Sequence, residues 1–203
     1  MPPRPPATES RERIYHAAAR LFSETGYRAT SMRDIAAALG MKAGSLYAHI
    51  SGKEDLLWEI IVRIADEFDE ALTPALAPAA PAEDRLRAAL EAYVNVIARN
   101  IEMSTVLFSE WRHLPPERQT MIRTRRDAVE AVFREILRQG TESGEFSAGT
   151  QVNLTAVLAL SGANWLPNWY RQDGPLSPQD VADTFVALLL HGILPRTPAP
   201  GPR

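Results

Sequence analysis

The chain has 203 residues, with 22 Lys+Arg against 25 Asp+Glu for a formal net charge of −3, and no cysteine. Hydrophobic residues at 45% and charged residues at 23% exclude disorder throughout and a collagen-like fibre. The missing cysteines exclude a disulfide framework, a thiolate metal site and a cysteine nucleophile. At roughly 100–200 residues per domain, the length suits one domain or a small domain joined to a larger one. No stretch approaches the ~20 consecutive apolar residues of a membrane helix. The opening "MPPRPPATES" lacks the apolar core of a signal peptide. The expected location is therefore the cytoplasm, with no membrane partner.

A net charge of −3 argues against a nucleic-acid partner until the chain is divided. Residues 1–53 hold Arg4, Arg11, Arg13, Arg20, Arg28, Arg33, Lys42 and Lys53 against Glu9, Glu12, Glu24 and Asp34, a balance of +4. Residues 54–203 carry −7. A basic end on an acidic body is the asymmetry expected of a nucleic-acid module joined to something else.

In chain order, residues 1–7 form a Pro-rich arm without apolar periodicity. Thr8 is placed to cap a helix from Glu9 to about Thr25, with Ile14, Ala18, Leu21 and Phe22 at helical spacing and Gly26 as its terminator. A short helix follows, opened by a capping box of Ser31 with Asp34 and stopped by Gly40. Ala36 is its small inward residue. The next short helix, "KAGSLYAH", has Leu46 as its inward anchor, and the pair reads as helix-turn-helix. Ser51 and Glu54 then precede the apolar run Leu57, Ile60, Ile61, Ile64 and Phe68, which carries a helix to about Leu72.

After the break "TPALAPAAPAE", residues 82–100 form a helix on Leu86, Leu90, Tyr93, Val94 and Ile97. "MSTVLFSEW" is a shorter apolar segment, and a long helix 116–139 follows, ended by Gly140. Residues 151–170 are apolar nearly all round, which predicts a helix buried on every face. Ser177 caps a last helix, 178–192, with Pro178 first and a stripe of Val181, Phe185, Leu188 and Leu189. No strand pattern appears. The expected fold is all-α with about nine helices: a disordered arm 1–8, a helix-turn-helix domain 9–53, a larger helical domain 54–194 and a disordered tail 195–203.

The segment from Arg11 to Leu57 carries "ARLFSETGY", "TSMRDIAAALGMKAGSLYAHI" and "GKEDLL" without a gap. It resembles the DNA-binding domain of TetR-type transcriptional regulators. The resemblance implies a dimeric, ligand-responsive regulator of a palindromic operator, usually a repressor, with an activator as the alternative. The helix near Lys42 becomes the recognition helix of the major groove. Lys42 and Ser45 donate to bases or phosphates, Ala43 and Gly44 allow close backbone approach, and Tyr47 and His49 match phosphate-contacting positions. Lys53 lies in a first helical turn, where its charge opposes the helix dipole, a cost that makes sense opposite a phosphate. Thr30, Ser31 and Arg33 are candidates for further phosphate contacts. Other roles remain open: Tyr47 packed beside Phe22, a structural His49, and Thr30 and Ser31 as caps only. Arg4 and Arg11 either reach a minor groove from the arm or stay solvated.

A dimer must hold two half-sites about 34–36 Å apart. Helices 151–170 and 178–192 suit an isologous four-helix interface for a homodimer. The body also holds a polar-aromatic set for a small-molecule effector: Tyr93, Phe108, Trp111, Arg112, Trp165, Asn168 and Trp169. "ANWLPNWYRQDGPLSPQDVADTF" resembles the C-terminal part of TetR-type regulators of acyl-coenzyme A catabolism. That likeness implies an acyl-CoA effector, whose phosphates suit Arg112, Arg118, Arg123, Arg125 and Arg126, unless these arginines form a solvated face. A different apolar or aromatic effector, as in drug-efflux control, is the alternative. No cofactor is expected. The four histidines show no metal-ligand spacing, and no catalytic motif supports an enzyme.

Overall fold

A computed structural model describes residues 7–77 and 80–193. The first six residues of the expected arm and the expected tail 195–203 lie outside the described residues. The chain forms two compact units, one ending at Glu67 and joined by Asn100–Arg125, the other built from Phe68–Arg99 and the chain from Arg126 onward. Among the described residues there are nine α-helices and no strand. None of those helices is long and apolar enough to cross a membrane.

In the first unit, α1 (Ala7–Thr25) buries Ile14, Tyr15, Ala18, Ala19 and Phe22. It starts one residue before Thr8, so Thr8 lies in the helix rather than ahead of it. Gly26 closes it at φ +87°, a left-handed conformation that costs glycine little. Next come α2 (Met32–Ala38), α3 (Ala43–Tyr47) and α4 (Lys53–Leu72). Ser31 and Asp34 form the expected capping box on α2: the Ser31 Oγ accepts from the Asp34 N–H at 3.2 Å, and the Ser31 N–H donates to Asp34 Oδ2 at 2.8 Å. At five residues α3 is too short to persist alone in water. Leu46, with no exposed surface, anchors it, and burying one such side chain contributes about 1.5–3 kcal/mol. Leu56, Leu57, Ile60, Ile61 and Ile64 give α4 its buried stripe. Further on, α6 (Ile101–Ser109) packs along α1, and a 3-10 turn, Trp111–His113, precedes α7 (Pro116–Ser143). The helix-turn-helix segment is thus embedded in a larger unit that includes α6.

In the second unit, α5 (Ala82–Arg99) packs against α9 (Pro178–Ile193). The Glu145 carboxylate caps α5 by accepting from the Ala82 N–H at 2.7 Å. Buried Arg85 donates through Nε to the Ala75 carbonyl at 3.0 Å and through Nη1 to Gln139. Ser177 and Asp180 cap α9 with the same reciprocal bonds as Ser31 and Asp34.

Expectations for three helices change. Gly140 does not end α7: the helix continues to Ser143 and stops at Gly144, at φ +82°. Gly140 is glycine for space, since a Cβ there would lie 2.4 Å from two ring carbons of Phe146 and 2.8 Å from the Ala82 Cβ. The 151–170 segment is a shorter helix, α8 (Val152–Asn164), followed by a 3-10 turn, Leu166–Asn168. Nor is α8 buried all round, because Leu154, Val157 and Leu158 are exposed while Ala156, Ala159, Leu160 and Ala163 are buried. On α9 the buried side is Val181, Ala182, Val186 and Leu190, and Leu188 of the expected stripe is 72% exposed.

Candidate functional site

The turn from α2 to α3 is fixed by the Met41 N–H, which donates to the Ala36 carbonyl at 2.8 Å after Gly40 turns at φ +65°. With Leu46 inward, the opposite side of α3 faces solvent. Lys42, Gly44, Ser45 and Tyr47 are exposed, and Ala43 is half-buried. Nothing lies within 4 Å of where a Gly44 Cβ would stand, so another molecule can approach the backbone there. Tyr47 is 54% exposed, and the ring in edge contact with Phe22 is that of Tyr27. Ser31 and Arg33 are exposed beside this surface in sequence, at the start of α2. Ser31 is occupied by its cap, and hydrogen bonds from its hydroxyl and N–H hold the Asp34 carboxyl below its ordinary pKa. His49 is half-buried, and its carbonyl accepts from Arg11 Nη2 at 3.4 Å. Arg11 belongs to α1, not to the arm, and also lies 3.8 Å from Glu59.

Two expected phosphate contacts turn inward. Thr30 is only 3% exposed, and its hydroxyl lies 2.8 Å from the Thr25 hydroxyl and donates to the Gly26 carbonyl at 3.0 Å. It ties the end of α1 to the start of α2. The Lys53 ammonium folds back onto the same loop, donating to the carbonyls of Tyr27 and Thr30, both at 2.9 Å, and standing 4.3 Å from the centroid of the Tyr27 ring. These contacts offset the dipole cost of a cation at this helix start without any phosphate.

Sequence reasoning missed the group that receives Lys53. His113 stacks on the Tyr27 ring at 5.4 Å and 19°, and the Tyr27 N–H donates to Glu110 Oε2 at 3.3 Å. Burial, with the charge of Glu54 second, raises the pKa of the Tyr27 hydroxyl. The Tyr15–Glu59 hydrogen bond and the 2.7 Å Arg63–Glu12 ion pair also join α1 to α4. All these partners are dozens of residues apart, beyond the reach of periodicity.

The effector candidates separate. In the first unit, Phe108 is half-buried, Trp111 is buried and Arg112 is exposed with its guanidinium 5.0 Å from the Trp111 ring. Arg123 lies 5.3 Å from the same ring and donates to Gln119 Oε1 at 3.1 Å. Arg118 is bound to Glu54 and Asp55, at 3.3 and 2.8 Å, and Arg125 to Asp66 at 2.5 Å. In the second unit, buried Tyr93 donates to Asn164 Oδ1 at 2.6 Å and packs on Phe68 and Phe133. Its hydroxyl pKa is raised by burial. Trp165, Asn168 and Trp169 are exposed, the two indoles at 64% and 44%.

Trp165 continues the exposed face of α8. Leu154, Val157, Leu158, Ser161 and Trp165 recur at intervals of three and four, so they form one stripe along the helix. A contiguous apolar stripe left in solvent is a candidate contact surface.

Comparison with known proteins places these features. Residues 14–60 match the family model described as bacterial regulatory proteins, tetR family, and residues 79–193 the one described as tetracyclin repressor-like, C-terminal domain. The HTH-type transcriptional repressor KstR2 of Rhodococcus jostii (strain RHA1) is 30% identical over 201 residues, 93% of this chain and 96% of the relative. The solved structure of the ketosteroid transcriptional regulator KstR2 of Mycobacterium tuberculosis superposes with a TM-score of 0.87 at 28% identity, covering 92% of this chain and 96% of that one. AibR, solved in complex with isovaleryl coenzyme A and operator DNA, superposes with a TM-score of 0.75 at 29% identity, covering 86% and 95%.

Proposed function

The chain belongs to the tetR family of bacterial regulatory proteins, and from that premise we propose that it is a cytoplasmic, homodimeric transcriptional repressor, released from a palindromic operator by a small-molecule effector. The observation that carries the DNA-binding part is α3 itself. One buried leucine fixes the helix, and its exposed side offers a cation, two hydroxyls and a bare glycine backbone. Lys42, Ser45 and Tyr47 supply donors to phosphates and base edges, and Gly44 lets the backbone come close.

The exposed stripe of α8, with Leu188 of α9, is the contact to a second copy, which holds the two recognition helices at half-site spacing. For the effector, an acyl-CoA thioester is the reading supported by the likeness to AibR, a protein solved with isovaleryl coenzyme A. The arginines sort accordingly. Arg118 and Arg125 are neutralised by carboxylates, whereas Arg112 and Arg123 converge on Trp111 with no carboxylate at salt-bridge distance among the described residues, and are the ones open to effector phosphates. The effector shifts the equilibrium only by its differential affinity for the DNA-bound and released states.

A mobility-shift assay on DNA upstream of the protein's own gene, challenged with a panel of acyl-CoA thioesters, tests this. A shifted complex that at least one thioester dissolves is the expected result. A complex insensitive to every thioester but dissolved by another metabolite removes the acyl-CoA assignment, and no shifted complex removes the DNA-binding one.

A further inference from the structure

Tyr27 lies in the loop between α1 and α2, outside both helices, and is gripped from two distant segments of the first unit. Lys53, 26 residues on, donates to its carbonyl, and Glu110, 83 residues on, accepts from its N–H. The ring is held on its faces and edge by the Lys53 ammonium, the stacked His113 and the edge of Phe22. Glu110 and His113 lie 3.4 Å apart, so the two groups that reach Tyr27 from beyond α6 are joined to each other. Lys53 gives a second hydrogen bond to the carbonyl of Thr30, the residue immediately before the Ser31 cap of α2.

Apolar packing alone would bury this loop without fixing its place. A carboxylate on the N–H and an ammonium on the C=O are charge-assisted, directional bonds, and they fix its position. The position matters because α2 starts at Met32, just past this loop, and α2 carries α3 through the Met41–Ala36 bond.

We propose that Tyr27 is a positioning residue for DNA recognition, clamped by Lys53 on one side and by Glu110 and His113 on the other, so that the turn after α6 governs how α2 and α3 are presented to the groove. Lys53 then acts on DNA through the loop and not by contacting a phosphate. The turn that carries His113 also carries Trp111 and Arg112, so a group that displaces this turn acts on the start of α2 with no contact to DNA. The inference rests on the DNA-binding reading above.

The test uses the full chain and compares the natural sequence with Lys53→Met, His113→Ala and His113→Phe for operator affinity, affinity for unrelated DNA, and salt dependence. Lys53→Met keeps the aliphatic stem and removes the clamp, and His113→Phe keeps the stack that His113→Ala removes. Positioning predicts that Lys53→Met and His113→Ala each weaken operator binding by about two- to thirtyfold, the span expected for a coupled residue that touches no ligand. Binding to unrelated DNA and the log–log salt slope stay unchanged, and His113→Phe recovers most of the loss. A slope lower by about one in Lys53→Met would overturn the proposal by placing Lys53 on a phosphate. Unchanged operator affinity in both variants, or parallel loss of both kinds of binding together with helix content, would overturn it as well. Failure of the natural chain to bind DNA at all falls instead on the reading beneath it.

Discussion

Around α2 and α3 the exposed side chains include Arg33, Lys42, Ser45 and Tyr47, with Ser31 and Asp34 at the cap, whereas the exposed side of α8 and its C-cap is dominated by Leu154, Val157, Leu158 and Trp165. Both surfaces belong to helices with a well-buried opposite side, Leu46 on α3 and Ala156, Ala159 and Ala163 on α8. The difference lies in what each leaves uncovered. Donors and cations on a short helix lose little by staying hydrated until a polyanion replaces the water. Branched and aromatic apolar groups gain by leaving water at once, so the α8 stripe is suited to the second copy proposed above. The chain thus pairs a surface suited to conditional contact with one suited to permanent contact.

The largest expected effect breaks the apolar side of this comparison. Leu158→Arg places a charge in the middle of the α8 stripe. It should yield a monomer by sedimentation and cut operator affinity from about a hundredfold upward, because the second recognition helix no longer binds intramolecularly. A dimer that persists in this variant would move the interface elsewhere. On the cationic side, Lys42→Ala should weaken operator binding about tenfold with an unchanged melting temperature. Full affinity would remove Lys42 from the interface.

Smaller effects probe what holds each side in place. Gly140→Ala gains about 1 kcal/mol of helix propensity, but its methyl meets the ring of Phe146, itself only 1% exposed, where overpacking costs about 1–3 kcal/mol. The clash should win, and calorimetry should show melting lowered by a few degrees; a higher melting temperature would mean that the ring yields. Ser31→Ala should cost about 1 kcal/mol of stability near neutral pH. Asp34 has a depressed pKa in the folded chain, so its contribution is present above the ordinary carboxylate range and is lost as pH falls through the lower folded value. The gap in melting temperature between Ser31→Ala and the natural chain should therefore narrow in acid. A gap constant with pH would separate the cap from the Asp34 carboxylate.

What the sequence made legible was local. The Ser31–Asp34 cap spans three residues, Ser177 directly precedes the helix it caps, and the apolar stripe of α4 repeats within one helix, so spacing alone locates them. The helix-turn-helix was legible because its inward leucine and its outward polar side chains lie within one short stretch. The contacts of Thr30 and Lys53 were not legible because their partners are set by how α1, α2 and α4 meet, not by neighbours in sequence. Gly140 resembles a helix stop until Phe146 and Ala82 are seen to occupy its missing side-chain volume. The apolar circumference of α8 announced burial but not whether the same chain or another covers it. Tyr27 closes the motif "ARLFSETGY", but nothing in sequence signalled its contacts, since its partners Glu110 and His113 lie beyond α6.

The pairing of these two surfaces is tested by the mass of the complex that the full chain forms with a duplex carrying its operator, read by sedimentation. An even number of chains per duplex is expected, two for a single palindrome. One chain per duplex, or no complex on any DNA from the protein's own upstream region, would contradict it.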